Sequence, residues 1–536
     1  MKGELIDSIE ILKDVESLIR NNTNEDIKMF CDILLMYSET AEKLDKTSQI
    51  ALNKAESAVK LAREHGFTKV LANGLLSMAR IQISRAKINL AIKILEEVEI
   101  ICKQYDHRNV LARTYITLSR ITDDELKQEK LIQESFKISE ELGNRLVKMS
   151  AFYSLGYLWM HQGKFTKSKR VFEKILNDSI ELGIKKDEAY ACGNLATIHL
   201  SLGENKKAEI LFRRDLELHE EMKDESGAQV TSVDIANILK FRGNEIKARK
   251  RLIKAKSFFD SKGDRNGLAF VNFNLARFYF YYGKLDKAEK INETLLKLAQ
   301  ELIKDGGNDD SLTSLLFEKC NFLLARGNVN EANEIYNKAL NIKEEGDSFI
   351  KGILDFNQGE FDEAIIQFTH KEKSTNNIVE KSYCHYYLGR IEKIKGNNNE
   401  ASKFFKKVNK AISPDTNILL FLGNLSHMAL NCIACNDIDS AEKFKESFIE
   451  NKDKMRHPIL RLYELYISLA LSIIKDENAK DVQKIFDLTL KTYDNLIFPP
   501  EIDERESVFL LSSKKYFQTK NNRSILKKIN DKLDFG

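Results

Sequence analysis

Polar side chains that could bind another polypeptide recur in this sequence at intervals of about forty residues. One series comprises Asn194, Asp234 and Asn274. A second series lies three positions further along each repeat and comprises Tyr157, Thr197, Asn237, Arg277 and Asn321. Asparagine donates and accepts hydrogen bonds, so it can hold a peptide backbone, and arginine binds carboxylates through paired hydrogen bonds. The candidate peptide-binding residues are Asn194, Asn237, Asn274, Arg277 and Asn321, with Arg80 and Arg390 at the matching places of outer repeats.

The same interval separates four glycines, Gly163, Gly203, Gly243 and Gly283. A small residue follows each glycine by five positions, and another precedes it by seven. The following residues are Ser168, Ala208, Ala248 and Ala288, and the preceding ones are Gly156, Ala196, Ala236 and Ala276. A glycine in the left-handed conformation ends a helix, and small residues let two helix backbones approach closely. Each unit is therefore predicted to be a helical hairpin.

These hairpins must stack, because one hairpin cannot bury its own apolar face. In one second helix, Ala208, Leu211, Phe212 and Leu216 form a stripe at helical spacing. Stacking in sequence order predicts an open trough rather than a closed core. The register continues with Gly327, Gly359 and Gly396, but the interval grows to forty-four residues and then falls to thirty-two. This change predicts a hinge or curvature break at 305–360, with a mobile polar turn at 305–310.

These residues resemble the tetratricopeptide repeats, whose signature is a Leu-Gly pair, an aromatic residue three later, and an alanine and a large apolar residue in the second helix. Here the pattern reads Leu155, Gly156, Trp159, Gly163, Ser168 and Phe172. The interval departs from the usual one of about thirty-four residues, and the proline that commonly closes a unit is absent. The longer period resembles repeats of kinesin light chains, spindle-orientation adaptors and bacterial signalling regulators. HEAT and armadillo arrays have a similar period without this register.

The resemblance implies an all-α fold, a right-handed superhelical solenoid of antiparallel helix hairpins. The array is expected to span residues 1–498, most clearly 70–410, with capping helices in 499–536 after Pro499-Pro500. In the resembling adaptors, asparagines and arginines on the first helices line a concave groove that holds a peptide. The expected function is therefore a protein-interaction scaffold or adaptor. The alternative is a peptide-responsive regulatory sensor that controls a separate signalling or transcription protein.

Catalytic and nucleotide-binding motifs are absent from the sequence, so we expect neither an enzyme nor a cofactor or metal site. Cys432-x-x-Cys435 has a metal-like spacing but lies in an apolar helical run without a second pair, which predicts two buried core residues. The basic segment 247–256 interleaves its charges with Ala248, Leu252 and Ala255, so its charges are expected on a solvated outer face.

Composition narrows the partners and the compartment. The 84 basic and 81 acidic side chains nearly cancel, so we expect a protein or peptide partner and neither nucleic acid nor membrane. No apolar run approaches the length of a membrane span, and the first residues do not resemble a signal peptide. The seven cysteines are scattered and odd in number, which favours a reducing cytoplasm. The sequence leaves the oligomeric state open.

Overall fold

The structure is a computed structural model of the 536-residue chain. It describes residues 23–494 except 45–47, 86, 123, 305–309 and 344–345, together with 513–520, 525–527 and 529. Every regular element in this described part is a helix, as the sequence predicts.

The helices follow one another in tandem, separated by short turns. The first twelve are α1 Asn24–Leu44, α2 Gln49–Glu64, α3 Thr68–Ser84, α4 Ile88–Gln104, α5 Arg108–Ser119, α6 Glu125–Glu141, α7 Arg145–His161, α8 Phe165–Glu181, α9 Lys185–Ser201, α10 Asn205–Glu221, α11 Glu225–Phe241 and α12 Glu245–Ser261. The next twelve are α13 Arg265–Tyr281, α14 Leu285–Lys304, α15 Asp310–Ala325, α16 Val329–Ile342, α17 Ser348–Gln358, α18 Phe361–Ser374, α19 Ile378–Ile394, α20 Asn398–Ala411, α21 Pro414–Ala434, α22 Ile438–Lys452, α23 Pro458–Ile474 and α24 Ala479–Asp494.

A strict period of twenty residues governs the middle of the chain. Each of the seven helices α7 to α13 has 17 residues and is followed by a three-residue turn. The middle residue of every turn has a positive φ, which glycine adopts without steric cost. These residues are Gly163, Gly183, Gly203, Lys223, Gly243, Gly263 and Gly283, and Gly143 has the same conformation in the turn before α7. The forty-residue repeat is therefore a pair of equal helices.

Short polar side chains begin several of these helices. Asn144, Asp224 and Asp264 each accept a hydrogen bond from a backbone N–H of the first helical turn. Such caps satisfy backbone donors that a helix leaves unpaired at its N-terminus. Glycine at one end and Asn or Asp at the other thus fix the helix boundaries.

The small residues of the repeat lie where the two helices of a hairpin meet, as predicted. Ala196, Ala236 and Ala276 are buried, and so are Ala208, Ala248 and Ala288. In the hairpin of α7 and α8, Ser168 Oγ donates to the Gly156 carbonyl at 2.6 Å. A Cβ at Gly156 would lie 2.9 Å from the Phe172 ring. Larger residues at these positions would push the paired helices apart.

The chain divides into two compact units, residues 1–175 with 301–308, and residues 176–300 with 309–536. In the first unit, one apolar cluster runs from Val59 to Ala151 and combines side chains of successive helices. This unit follows the predicted pattern, in which each hairpin packs against its neighbours in the sequence.

The second unit departs from that pattern. One apolar cluster combines α11 to α13 with Ile418 and Leu422 of α21 and with Ile459 of α23. Polar contacts accompany it, since Asn205 Nδ2 donates to the Asp415 carbonyl at 2.7 Å. The prediction of stacking in sequence order alone is therefore wrong for this unit, because its C-terminal helices pack against the ends of much earlier ones.

Helix α21 shows how apolar this C-terminal region is. Within the described residues it is the one helix long and apolar enough to cross a membrane, with a mean hydropathy of 1.3 over its best window. However, 67% of that window is buried inside the protein, which is typical of a core helix. Length and composition alone are weak evidence for a membrane span.

At the end of α21, Cys432 is half-buried against the core and Cys435 is exposed. The prediction of two buried cysteines is therefore wrong for Cys435, because α21 ends at this residue and Asn436 turns the chain with a positive φ.

Two sequence predictions lie mainly outside the described residues. These are the polar turn at 305–310 and the capping helices in 499–536. The shortening of the repeat after Gly327 is visible in the helices themselves, since α17 has only 11 residues.

Candidate functional site

Five of the predicted binding residues, Asn194, Asn237, Asn274, Arg277 and Asn321, lie on the first helices α9, α11, α13 and α15 of the second unit. On the first three of these, one face carries three recurring positions, and we call this surface the first-helix face. Its members are Tyr190, Asn194 and Thr197 on α9, Val230, Asp234 and Asn237 on α11, and Phe270, Asn274 and Arg277 on α13. Residues separated by four and then three positions share one side of a helix, so each helix presents the same triad.

The structure brings Asn237 and Asn274 together. Asn237 Nδ2 donates to Asn274 Oδ1 at 2.9 Å, so a hydrogen bond joins neighbouring repeats. Asn274 Nδ2 donates in turn to the carbonyl of Phe270, and Asn237 Oδ1 accepts from Lys240 Nζ. Each amide makes two hydrogen bonds of the four it can form. The pair is thus fixed in orientation, and because Asn274 is only 8% exposed, half-buried Asn237 is the member with a donor and an acceptor to offer.

A second link between repeats follows the same geometry. Arg277 Nε lies 3.3 Å from Glu318 Oε1 of α15, and more than half of the arginine side chain is exposed. Glu318 occupies on α15 the position that Asn274 occupies on α13, and Asn321 lies three residues after it, half-buried. In both pairs, Asn237–Asn274 and Arg277–Glu318, the third residue of one triad contacts the middle position of the next repeat.

Asn194 and Thr197 form hydrogen bonds within their own helix. Asn194 Nδ2 donates to the Tyr190 carbonyl of the same helix at 2.8 Å, and Thr197 Oγ1 likewise donates to the Gly193 carbonyl. The Asn194 side chain therefore lies on the first-helix face but is partly occupied by its own helix.

The two outer arginines are not part of this face. In the first unit, Arg80 forms an ion pair with Glu42 at 2.8 Å, so its charge is already compensated. In the second unit, Arg390 is only 1% exposed, and its guanidinium lies 4.5 Å from the centroid of the Phe356 ring and 5.0 Å from that of Tyr387. Burial among aromatic rings does not favour contact with a partner at Arg390.

The sequence prediction missed an apolar row on the same face. Tyr190, Val230 and Phe270 recur at forty-residue intervals four positions before Asn194, Asp234 and Asn274, and they are 43%, 39% and 37% exposed. Large apolar side chains at an exposed, recurring position form a contiguous surface that is typical of binding sites. The signal that could have found them is the forty-residue period itself.

Two charged groups on α11 give the face a pH-dependent charge. Burial, aided by the positive charge of Arg277 and opposed by Glu318, lowers the pKa of Lys240 to about 7. The Lys240 ammonium also lies 4.4 Å from the centroid of the Phe241 ring. Desolvation and the negative charge of Asp215 raise the pKa of Asp234 to about 7. Both groups therefore change charge near neutral pH.

A family model described as tetratricopeptide repeat matches residues 189–222, which form the hairpin of α9 and α10. This segment contains Tyr190, Asn194, Ala196 and Ala208. This hairpin therefore matches a tetratricopeptide repeat. The sequence matches no curated protein.

The fold of this chain resembles that of the Cut9-Hcn1 hetero-tetramer of the APC/C, with 12% identity over 95% of this chain and 99% of that one and a TM-score of 0.51. Two further structures are similar over a smaller share of this chain. The apo quorum sensor NprR from B. thuringiensis has 13% identity over 64% of this chain and 97% of its own, with a TM-score of 0.45. Apo RapI has 15% identity over 46% and 89%, with a TM-score of 0.38.

A charged cluster lies where α10 packs against α11. The His219 ring contacts two carboxylates, with Nε2 3.3 Å from Asp215 Oδ1 and Nδ1 2.9 Å from Asp224 Oδ2. Thr231 Oγ1 donates to the other oxygen of buried Asp215 at 2.8 Å. The hydrogen bond to Asp215, aided by the charges of both carboxylates, raises the pKa of His219 despite its partial burial. Within the described part of the chain, no group of three or more such residues could hold a metal ion.

This cluster predicts a pH-dependent stability. A histidine with a raised pKa stabilises the folded state fully below its unfolded pKa of about 6.5, and this contribution disappears as the pH rises through the folded pKa. We expect His219→Gln to lower the free energy of unfolding most below about pH 6.5 and progressively less above it. Urea denaturation of both proteins across this range measures the difference.

His385→Gln is the matched control, because burial lowers the pKa of His385 despite its contact with Glu372. Its effect on the free energy of unfolding should have the opposite trend, growing as the pH rises. A pH-independent cost for both variants would mean that neither ring carries the charge assigned to it.

Proposed function

We propose that this protein is a non-enzymatic interaction scaffold that binds a segment of a partner protein along the first-helix face. One observation carries the proposal, namely that α9, α11 and α13 present the same triad at forty-residue intervals, with an exposed apolar residue at the first position of each. In each triad an apolar residue comes first, an amide or acid second, and a polar or cationic side chain third.

The face matches a polypeptide segment in its chemistry. Tyr190, Val230 and Phe270 offer apolar contacts that would bury area on binding. Asn237 is held in place by its hydrogen bond to buried Asn274, and its half-buried amide keeps a donor and an acceptor for a peptide backbone. Because such contacts are individually modest and repeated, affinity would come from their number and from the preorganised amide.

The fold supports a role of this kind. Cut9, whose tetratricopeptide-repeat fold this chain shares, was solved in a hetero-tetramer with Hcn1. The scattered cysteines also favour the reducing cytoplasm that the composition predicts, and we propose this location for the protein.

The double variant Asn237→Ala/Arg277→Ala tests the site. We expect at least a tenfold loss of partner affinity, since arginine at the centre of an interface often contributes on the order of 2 kcal/mol. The variant and the native protein serve as baits in lysate of the native cell, and quantitative mass spectrometry identifies proteins retained by the native bait alone. A synthetic segment of the retained protein is then titrated by calorimetry against both proteins.

The matched control is Asn399→Ala/Lys406→Ala, which removes one exposed amide and one exposed cation from α20. It should retain the partner and bind the segment with native affinity. Circular dichroism confirms that both double variants keep their helical content. Equal capture by all three proteins would remove the first-helix face as the binding site.

A peptide-responsive sensor is the second candidate function, and one contact favours it. Tyr281 lies four residues after Arg277, and its hydroxyl donates to Asn417 Oδ1 of α21 at 2.9 Å. A segment bound on the first-helix face would therefore lie next to the packed C-terminal helices and could alter their order. Hydrogen exchange of α21 with and without the bound segment distinguishes the candidates, because only a sensor requires exchange to change.

A further inference from the structure

Helix α12 carries an unusual concentration of positive charge on the second-helix side of the repeats. Its six basic residues are opposed within the helix by only two acidic ones, Glu245 and Asp260. The basic residues are Lys247, Arg249, Lys250, Arg251, Lys254 and Lys256. The whole chain has 84 basic and 81 acidic residues, so α12 is far more basic than the chain as a whole.

These charges are not compensated by neighbouring acids. Among the described residues, no carboxylate lies within ion-pair distance of Lys247, Arg249, Lys250 or Lys254, and all four are exposed. On the neighbouring second helix α10, by contrast, Arg214 contacts Glu188 at 2.8 Å. The α12 cations are thus free to interact with an external partner.

Two exposed isoleucines lie among these cations. Ile246 is 82% exposed and Ile253 is 41% exposed, whereas Ala248, Leu252 and Ala255 of the same helix are buried. At 100° per residue, Ile246, Lys250 and Ile253 fall within one narrow sector, flanked by Arg249 on one side and by Lys247 and Lys254 on the other. The outer face of α12 therefore combines protruding aliphatic side chains with a surrounding ring of positive charge.

We propose that this outer face of α12 docks on an anionic lipid surface. Exposed cations interact with the negative potential of such a surface, and each contributes modestly. The protruding isoleucines enter the interfacial region beside the headgroups, where aliphatic groups are stabilised. The charges are spread along the helix instead of converging on one point, so they match a diffuse layer of negative headgroups better than a single acidic side chain of a protein. This site is separate from the first-helix face.

Vesicle flotation tests the proposal with the full chain. Native protein should float with vesicles of phosphatidylcholine and phosphatidylserine, and not with phosphatidylcholine alone, and added salt should weaken the binding. Lys250→Glu/Lys254→Glu should reduce the partition coefficient at least about tenfold, because two attractive charges become repulsive. Ile246→Ser should reduce it by a smaller factor at unchanged charge.

The control Lys406→Glu/Lys410→Glu reverses two cations with the same spacing on α20, which has no exposed large apolar residue in the described structure. Its partition coefficient should stay close to native. An equal loss in both charge variants would show unspecific attraction and overturn the proposal. Absence of native flotation would also overturn it, and an α12 variant that loses a captured protein instead would assign this face to a protein partner.

Discussion

Asn417→Ala is expected to lower the free energy of unfolding by about 3 kcal/mol, because this buried side chain makes several polar contacts at once. Its backbone is extended within α21, with φ −158° and ψ 96°, and its Oδ1 caps the following helical segment by accepting from Leu420 N at 3.1 Å. The same oxygen accepts from the Tyr281 hydroxyl, and Nδ2 donates to the Tyr383 hydroxyl at 3.2 Å. The substitution therefore removes a cap and two contacts to other helices.

Urea denaturation followed by circular dichroism measures the loss. Asn377→Ala is the matched control, since Asn377 caps α19 through Val379 N and Glu380 N in the same manner. Loss of a cap alone should cost about 1 kcal/mol. A double-mutant cycle with Tyr281→Phe then isolates the contact between α13 and α21, and a coupling energy near zero would contradict the assigned role of Asn417.

Much of the fold was predictable because its determinants are local in the sequence. Gly243 with Ala236 and Ala248 specifies one hairpin, since glycine ends the first helix and the two alanines lie at the contact between both helices. The packing of α21 against α13 was not predictable in this way. Tyr281 and Asn417 are 136 residues apart, and neither belongs to a recurring position.

The candidate site was predictable to the extent that it follows the repeat. In the structure Asn237 bonds to Asn274 and Arg277 pairs with Glu318, so the recurring polar positions link neighbouring repeats, which the sequence analysis did not predict. Tyr190 and its equivalents obey the same period but were not singled out, because an apolar residue in an amphipathic helix is normally a core residue. Arg390 lies in the region of shorter repeats, where Phe356 and Tyr387 enclose a position that the register predicted to be exposed.

Gly243→Ala is expected to destabilise the protein by about 2 kcal/mol more than Gly396→Ala, although both glycines have a φ of 80° in turns between paired helices. Any side chain in this conformation costs about 1 to 2 kcal/mol, so both variants lose that amount. At Gly396 nothing lies within 4 Å of an added Cβ, whereas at Gly243 it would overlap the Lys454 carbonyl and approach Met455 Cβ to 3.2 Å. Because Lys454 lies in the link between α22 and α23, the additional loss measures how firmly the C-terminal helices pack against this earlier turn.

Urea denaturation gives both free energies, and hydrogen exchange at residues 453–460 should increase in the Gly243 variant alone. Equal costs would mean that this packing contributes nothing to stability, and the second unit would then behave as a stack of neighbours.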